Sequence, residues 1–132
     1  MSEAAPTITR VFADCTAAAV GSTEAILVTT VPKGSRVLRV VAQALIASDS
    51  STDSTWWVGD TTDPDGLLQS FDTEQTVNAF VGNSTAAYML TAGGKLYNAA
   101  TEVNAYYTQA ATDGATAPKI RVILWIATPG AP

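Results

Sequence analysis

The sequence predicts an all-β fold, a single antiparallel β-sandwich of jelly-roll type with about eight strands. Short runs rich in β-branched and aromatic residues alternate apolar with polar positions, and turn sequences containing Gly or Pro separate them. No stretch carries the apolar stripe of an amphipathic helix. A chain of 132 residues suits one domain. We therefore expect a flexible arm at 1–6, the sandwich at 7–127 and a tail at 128–132.

The first part of the chain is predicted to form two strands and a turn. TITRVF (Thr7–Phe12) alternates, and AILVTTV (Ala25–Val31) is a β-branched run. Ala13–Ala25 between them is interpreted as a loop with at most one helical turn, because a glycine interrupts its alanines. Pro32–Ser35 is predicted to be a turn in which Gly34 adopts positive φ.

A long strand, Arg36–Ala47, is expected after this turn, and the polar loop Ser48–Ser54 after the strand. Arg39 and Gln43 mark the outer face of the strand. Alternation assigns its buried face to Leu38, Val40, Ala42, Ala44 and Ile46.

The remaining strands are predicted by the same alternation. They begin with the short strand TWWVG, Thr55–Gly59, and continue at Leu67–Phe71, Thr76–Gly82, Thr85–Thr91, Glu102–Ala110 and Lys119–Ala127. In the last strand the buried face is expected to comprise Ile120, Val122, Leu124 and Ile126.

Charge argues against a nucleic-acid partner. Charged residues make up 14% of the chain and the net charge is −5. The seven Lys and Arg residues look scattered along the sequence, and only Lys33, Arg36 and Arg39 come close together, beside a turn. Nucleic-acid binding needs a basic surface that displaces counterions, so we expect none.

The residue inventory also argues against catalysis. There is no histidine, the commonest general base, and no G-x-S-x-G sequence around a serine. The one cysteine, Cys15, has no partner base and is predicted to be a small buried hydrophobe. We therefore expect a protein that is not an enzyme and that needs no cofactor.

The ends and the apolar runs predict a soluble protein with no membrane partner. MSEAAPTITR lacks the basic and apolar regions of a signal peptide, and no run approaches 18 apolar residues. Synthesis in a cytoplasm without export is the expectation.

An acidic stretch, TTDPDGLLQSFD (Thr61–Asp72), partly matches a calcium-binding loop, with Asp63, Asp65 and Asp72 as weak candidate ligands. Two ligand positions are altered, and no flanking helices are predicted. We favour a tight turn in which aspartates cap the backbone and Gly66 supplies a left-handed residue, and we expect no metal.

The aromatic residues allow two interpretations. Trp56 and Trp57 are neighbours on a strand, so they point to opposite faces and cannot together form a sugar-binding platform. Trp56 shares a face with Val58 and is assigned inward. The residues left outward, Trp57, Arg121, Ile123 and Trp125, are predicted to form an interface, since aromatics and arginine are frequent interface anchors. The alternative is that a long loop of the same monomer folds over them.

Several motifs resemble those of small structural proteins of tailed-bacteriophage virions. VPKGSRVLRVVAQALIAS is followed by STWWVGDTTDPDGLLQS, and GGKLY precedes a closing strand, IRVILWIA. The resemblance spans Val28–Thr128. It implies a β-sandwich or jelly-roll capsid decoration (cement) protein, with neck, tail and fibre components as relatives. No catalytic residues are implied.

Under this resemblance the expected partner is the major capsid protein, and the expected location is the outside of the capsid. The protein is expected to be a homo-oligomer, either a trimer or a dimer, that buries its outward aromatic residues. The alternative is a glycan-binding sandwich module of a tail, neck or fibre.

Overall fold

The computed structural model describes residues 5–17, 22–47, 54–72, 80–82, 86–90, 93–109 and 116–129. The predicted loop Ser48–Ser54 and the first part of the predicted strand Thr76–Gly82 lie almost wholly outside this range, as do most of the arm and the tail. The strands are β1 (Thr7–Thr16), β2 (Ser22–Val31), β3 (Arg36–Ile46), β4 (Ser54–Gly59), β5 (Leu68–Asp72), β6 (Phe80–Gly82), β7 (Lys95–Leu96), β8 (Thr101–Gln109) and β9 (Lys119–Thr128).

These strands form two antiparallel sheets. Sheet A has the order β1-β9-β3-β6, with the two-residue β7 also paired to β3, and sheet B has the order β2-β8-β4-β5. With β7 set aside, the chain crosses between the sheets as the eight strands of a jelly roll do. The described residues contain a 3-10 turn at Ala87–Leu90 and no α-helix. The predicted all-β sandwich is confirmed.

The core lies between the inner faces of the two sheets. On β9, the four alternate residues predicted to be inward are all buried, namely Ile120, Val122, Leu124 and Ile126. On sheet B, Trp56 packs against Tyr107 with ring centroids 4.7 Å apart, and both side chains are fully buried. Burial of side chains this large contributes about 2–3 kcal/mol each relative to leaving them in water.

The predicted buried face of β3 is correct in its centre and wrong at both ends. Val40, Ala42 and Ala44 point into the core, but Leu38 and Ile46 are exposed. The pairing of β3 with β9 shifts register near both residues, and each bulge adds one residue and reverses the alternation. Val37 therefore takes the inward place that strict alternation gives to Leu38.

Other boundaries also differ from the prediction, and β2 begins at Ser22 rather than at Ala25. β1 runs through Thr16 rather than ending at Phe12, because all ten of its residues pair with β9. The stretch predicted as the strand Thr85–Thr91 instead contains the 3-10 turn, where the Met89 N–H donates to the Ala86 carbonyl at 3.0 Å. The Tyr88 side chain of this turn reaches the acidic stretch, where its hydroxyl donates to Asp60.

The predictions for Gly34 and Cys15 hold. Gly34 has a φ of 83°, as its turn requires, and Cys15 is a free, fully buried thiol. Within the described residues, no helix is both long and apolar enough to pass through a membrane.

Candidate functional site

The outer face of sheet A is built from alternate residues of β1, β9 and β3, whose inward neighbours form the core. The register places side chains in rows across the three strands. One row is Arg10, Trp125 and Arg39, and the next is Phe12, Ile123 and Val41. We call the surface formed by Arg10, Phe12, Arg39, Arg121, Ile123 and Trp125 the arginine face.

Each arginine on this face contacts a neighbour. The guanidinium carbon of Arg39 lies 5.0 Å from the ring centroid of Trp125, and that of Arg10 lies 5.3 Å from the centroid of Phe12. At these distances a cation is attracted to the ring, by about 0.5–1 kcal/mol at an exposed site. The arginines therefore hold the aromatic rings in place and remain on the surface.

The third arginine forms an ion pair within the same face. Arg121 donates from Nε to Asp14 Oδ1 at 2.8 Å and from a terminal nitrogen to Oδ2 at 3.2 Å. The hydrogen bond from Arg121 is the main cause that lowers the pKa of Asp14, and Lys119, 4.0 Å away, adds to it. Phe12, Asp14 and Arg121 line a shallow depression of about 460 Å³.

The four predicted interface residues do not lie together. Arg121, Ile123 and Trp125 point outward on β9, as predicted, and share the arginine face. Trp57 also points outward, but from sheet B, on the opposite side of the sandwich. One flat partner surface cannot contact all four, so they belong to two separate surfaces.

The prediction that Trp56 and Trp57 cannot together form a platform is confirmed, but it left out pairs of aromatic residues on neighbouring strands. Trp56 and Trp57 do point to opposite faces, with Trp56 buried. However, Trp57 lies beside Tyr106 of the neighbouring strand, with ring centroids 6.3 Å apart and planes only 12° from parallel. Two near-parallel rings on the outer face of sheet B form a small aromatic surface that adjacent residues on one strand cannot form.

The acidic stretch folds into a turn organised by Asp60, which is 4% exposed. Its Oδ1 accepts hydrogen bonds from the backbone N–H groups of Thr62 and Asp63, each at 2.9 Å, and from the Tyr88 hydroxyl at 3.2 Å. Its Oδ2 accepts one from the Tyr97 hydroxyl at 2.9 Å. A carboxylate with four donors is stable without a metal ion or a salt bridge.

A lysine and two tyrosines close this turn from outside. Lys95 Nζ lies 4.2 Å from the ring centroid of Tyr88 and 5.5 Å from that of Tyr97. Burial is the first cause that raises the pKa of both tyrosines, that of Tyr88 to about 12, and the charge of Asp60 adds to it. Both hydroxyls therefore keep their protons and act as donors. The recess beside them holds about 200 Å³.

The three weak candidate metal ligands do not come from one turn, since Asp63 and Asp65 lie between β4 and β5 and Asp72 lies on β5 itself. A hydrogen bond with Asp65 is the main cause that raises the pKa of Asp63, and the charges of Asp65 and Asp60 add to it. Asp65 is exposed, and Asp72 lies on β5, with a side chain outside the described part. Among the residues that the structure describes, no three His, Cys, Asp or Glu side chains are placed to hold a metal ion.

Gly66 has a different role from the predicted one. Its φ is not positive, unlike that of Gly34, Gly93 and Gly94. A Cβ at Gly66 would lie 2.6 Å from ring atoms of Tyr88, so a glycine is needed for close packing rather than for a left-handed conformation.

The basic residues are the feature that sequence reasoning missed. Scattered in sequence, six of the seven lie on strands of sheet A, and the seventh, Lys33, is in the turn before β3. The described strands of sheet B carry none. Alternation along β9 alone indicated that Lys119, Arg121, Ile123 and Trp125 share one face. Only the pairing of β9 with β1 and β3 shows that this face is basic across all three strands.

Comparisons with known proteins find similarity in structure rather than in sequence. No protein-family model matches the chain, and no curated protein matches it. A chain in the capsid asymmetric unit of cyanophage Pam1 superposes with a TM-score of 0.65 at 16% identity, covering 95% of this chain and 87% of that one. The likeness establishes the fold. A chain in the acidic stable capsid structure of Helicobacter pylori bacteriophage KHP30 gives a TM-score of 0.67 at 11% identity, covering 97% and 91%.

Proposed function

We propose that this protein is a non-enzymatic structural protein of a bacteriophage virion, a decoration (cement) protein that binds the outer surface of the major capsid protein lattice and stabilises the head. The observation that carries the proposal is the likeness to chains from two phage capsid structures, which extends over nearly the whole length of each. The sequence motifs resemble virion proteins independently of that likeness.

The surface supports a role in assembly. Five large apolar side chains are exposed among the described residues, namely Ile8, Phe12, Leu27, Leu38 and Ile46. Soluble proteins rarely leave extended apolar surface in water unless a partner covers it. Exposed aromatic and aliphatic groups with few charges suit a protein that docks on a lattice.

The absence of histidine from the sequence, and the structural rather than catalytic use of Asp60, favour a role without chemistry. Asp60, the most buried carboxylate among the described residues, accepts hydrogen bonds from four donors. Two of these donors are backbone N–H groups of its own turn. A general base needs an open acceptor within reach of a substrate proton.

Co-sedimentation tests the proposal. Empty shells assembled from the major capsid protein of the same phage should carry this protein into the pellet, with saturation at a fixed number of copies per shell subunit. Decorated shells should lose integrity at a higher temperature than bare shells, since a ligand of the assembled state stabilises it by mass action. Absence of binding to intact shells would overturn the proposal.

Separate measurements test the oligomeric state and the exterior location. We propose a homo-oligomer, a trimer or a dimer, and sedimentation equilibrium of the free protein distinguishes these from a monomer. Protease treatment of intact virions, which reaches only the outside of a shell, tests the exterior location.

The second candidate function is glycan binding as part of a tail, neck or fibre. The Trp57–Tyr106 pair favours it, because near-parallel aromatic rings on an outer face offer flat surfaces to the apolar face of a sugar. Affinity gels that contain glycans test this function. It is favoured over capsid decoration if the wild-type protein is retarded, Trp57→Ala is not, and the wild-type protein does not bind shells.

A further inference from the structure

The two sides of the sandwich differ in charge. All the arginines of the chain lie on β1, β3 and β9 of sheet A, namely Arg10, Arg36, Arg39 and Arg121. The described acidic residues lie mainly elsewhere, at Glu24 and Glu102 on sheet B and in the turn that follows β4. A protein with a net charge of −5 thus presents one face with excess positive charge.

The same side is also the more apolar one. Four of the five exposed large apolar residues in the described part of the chain lie on strands of sheet A. Phe12 is 54% exposed, beside the depression that it lines with Asp14 and Arg121. Arginine next to exposed aromatic groups is the composition found at the centres of protein–protein interfaces.

We propose that the arginine face is the surface that docks on the capsid, and that it binds an acidic, partly apolar patch of the shell protein. This inference rests on the function proposed above and adds the side of the molecule that makes contact and the charge of the partner. Sheet B and the acidic turn then face away from the shell.

A second copy of the chain is a poor occupant of this face. A two-fold dimer through it would bring Arg10, Arg39 and Arg121 of one copy against the same residues of the other. Like charges brought together across an interface oppose association. In a head-to-tail assembly this face would contact the acidic side of the next copy. Such contacts form a finite ring only when the rotation between copies closes the ring, and otherwise they form filaments.

Nucleic acid fits the face less well than an acidic protein surface does. Single strands bind by stacking bases on open aromatic rings. Here Arg39 already lies over the ring of Trp125 and Arg10 over that of Phe12, so the nearest rings are occupied by the protein's own cations. The acidic remainder of the chain also repels a polyanion.

A pair of charge reversals tests the proposal on the full chain. Arg39→Glu alters the arginine face next to Trp125, and Lys33→Glu makes the same change of charge at an exposed position in the turn before β3. In co-sedimentation with shells of the same phage at low ionic strength, Arg39→Glu should weaken binding at least about tenfold, and Lys33→Glu less than about threefold. Wild-type binding should weaken as salt is added.

Arg39→Lys is the control for loss of binding through misfolding. It keeps the charge and should retain most of the binding, while thermal melts check that all three variants are folded. If wild-type protein binds shells and Arg39→Glu binds them equally well, the docking face is wrong and the proposed function stands. If wild-type protein does not bind shells, the proposed function fails and the named partner fails with it.

Two further outcomes would replace the shell with another occupant. Sedimentation equilibrium would overturn the proposal in favour of a second copy if wild-type protein is oligomeric and Arg39→Glu is monomeric. Binding of a labelled single-stranded oligonucleotide that depends on Arg39 would overturn it in favour of nucleic acid.

Discussion

At the scale of single residues, Asp60 decides how the acidic stretch folds. It lies directly after β4, where the chain leaves the core, and accepts hydrogen bonds from two backbone amides and two tyrosines. Hydrogen bonds to a charged group contribute about 1.5–3 kcal/mol each, and a buried carboxylate without them would be strongly unfavourable. The neighbouring Asp63 and Asp65, which resemble calcium ligands in the sequence, take the more exposed positions.

A second buried residue predicts how stability depends on pH. Burial, with a smaller effect of Asp14, raises the pKa of the Cys15 thiol to about 11 from 9.0. The folded protein therefore holds this proton more tightly than the unfolded chain does. The stability that results from this difference is fully present below pH 9 and is lost as the pH rises through 11. We expect ionisation of the Cys15 thiol to lower the free energy of unfolding by about 2–3 kcal/mol between pH 9 and pH 11.

Urea denaturation at a series of pH values between 8 and 11 measures this effect. Tyr88 and Tyr97 also destabilise the folded state at high pH, since the pKa of each is raised by burial. Cys15→Ala removes only the thiol, so its stability should decline less steeply than that of the wild type. Parallel declines in the two proteins would show that the thiol is not the group responsible.

At the scale of elements, the turn between β4 and β5 depends on close backbone packing. A Cβ at Gly59 would overlap the Asp63 carbonyl oxygen and the backbone of Pro64, and the Gly66 N–H donates to that same Asp63 carbonyl at 3.0 Å. Backbone atoms cannot rotate away as a side chain can, so a larger residue would displace the turn.

Gly59→Ala is therefore expected to destabilise the protein by about 2 kcal/mol or more. Gly82→Ala on β6 is the matched control, because a Cβ there would meet no atom within 4 Å, and we expect a change within about 0.5 kcal/mol. Chemical denaturation of both variants measures the difference. Equal stabilities would mean that the turn adapts and does not constrain β4 and β5.

At the scale of the whole molecule, the jelly-roll crossings place charges from distant parts of the sequence on one side. Arg10 near the beginning, Arg39 on β3 and Arg121 on β9 become neighbours because β9 lies between β1 and β3. The arginine face is therefore a property of the topology, and no single segment contains it.

The whole domain is also expected to fold without a metal ion. The reasons are the lack of histidine and the placement of the described side chains, among which no three His, Cys, Asp or Glu could hold a metal ion. Thermal melts with a chelator and with added calcium should give midpoints within about 1 °C of each other, since only a ligand of the folded state would shift them. A fall of several degrees on chelation, reversed by calcium, would show that Asp63, Asp65 and Asp72 hold an ion.

Local sequence was sufficient to predict the fold class, the positions of most strands and the inward side of β9. Alternation is a property of the extended backbone itself, so Ile120 to Ile126 and the Trp56–Trp57 pair were assigned correctly. The turn at Gly34 was predictable for the same reason, because its conformation depends on four consecutive residues.

Tertiary structure alone decided the bulges of β3, the role of Asp60 and the arginine face. A bulge depends on how β3 pairs with β9, and Asp60 is buried because Tyr88 and Tyr97 approach it from 28 and 37 residues away. Strand order is set by contacts between segments that are far apart in the chain, and alternation within one strand carries no information about its neighbours. That is why the sequence shows seven scattered basic residues, whereas the folded protein brings three of them, Arg10, Arg39 and Arg121, together on one face.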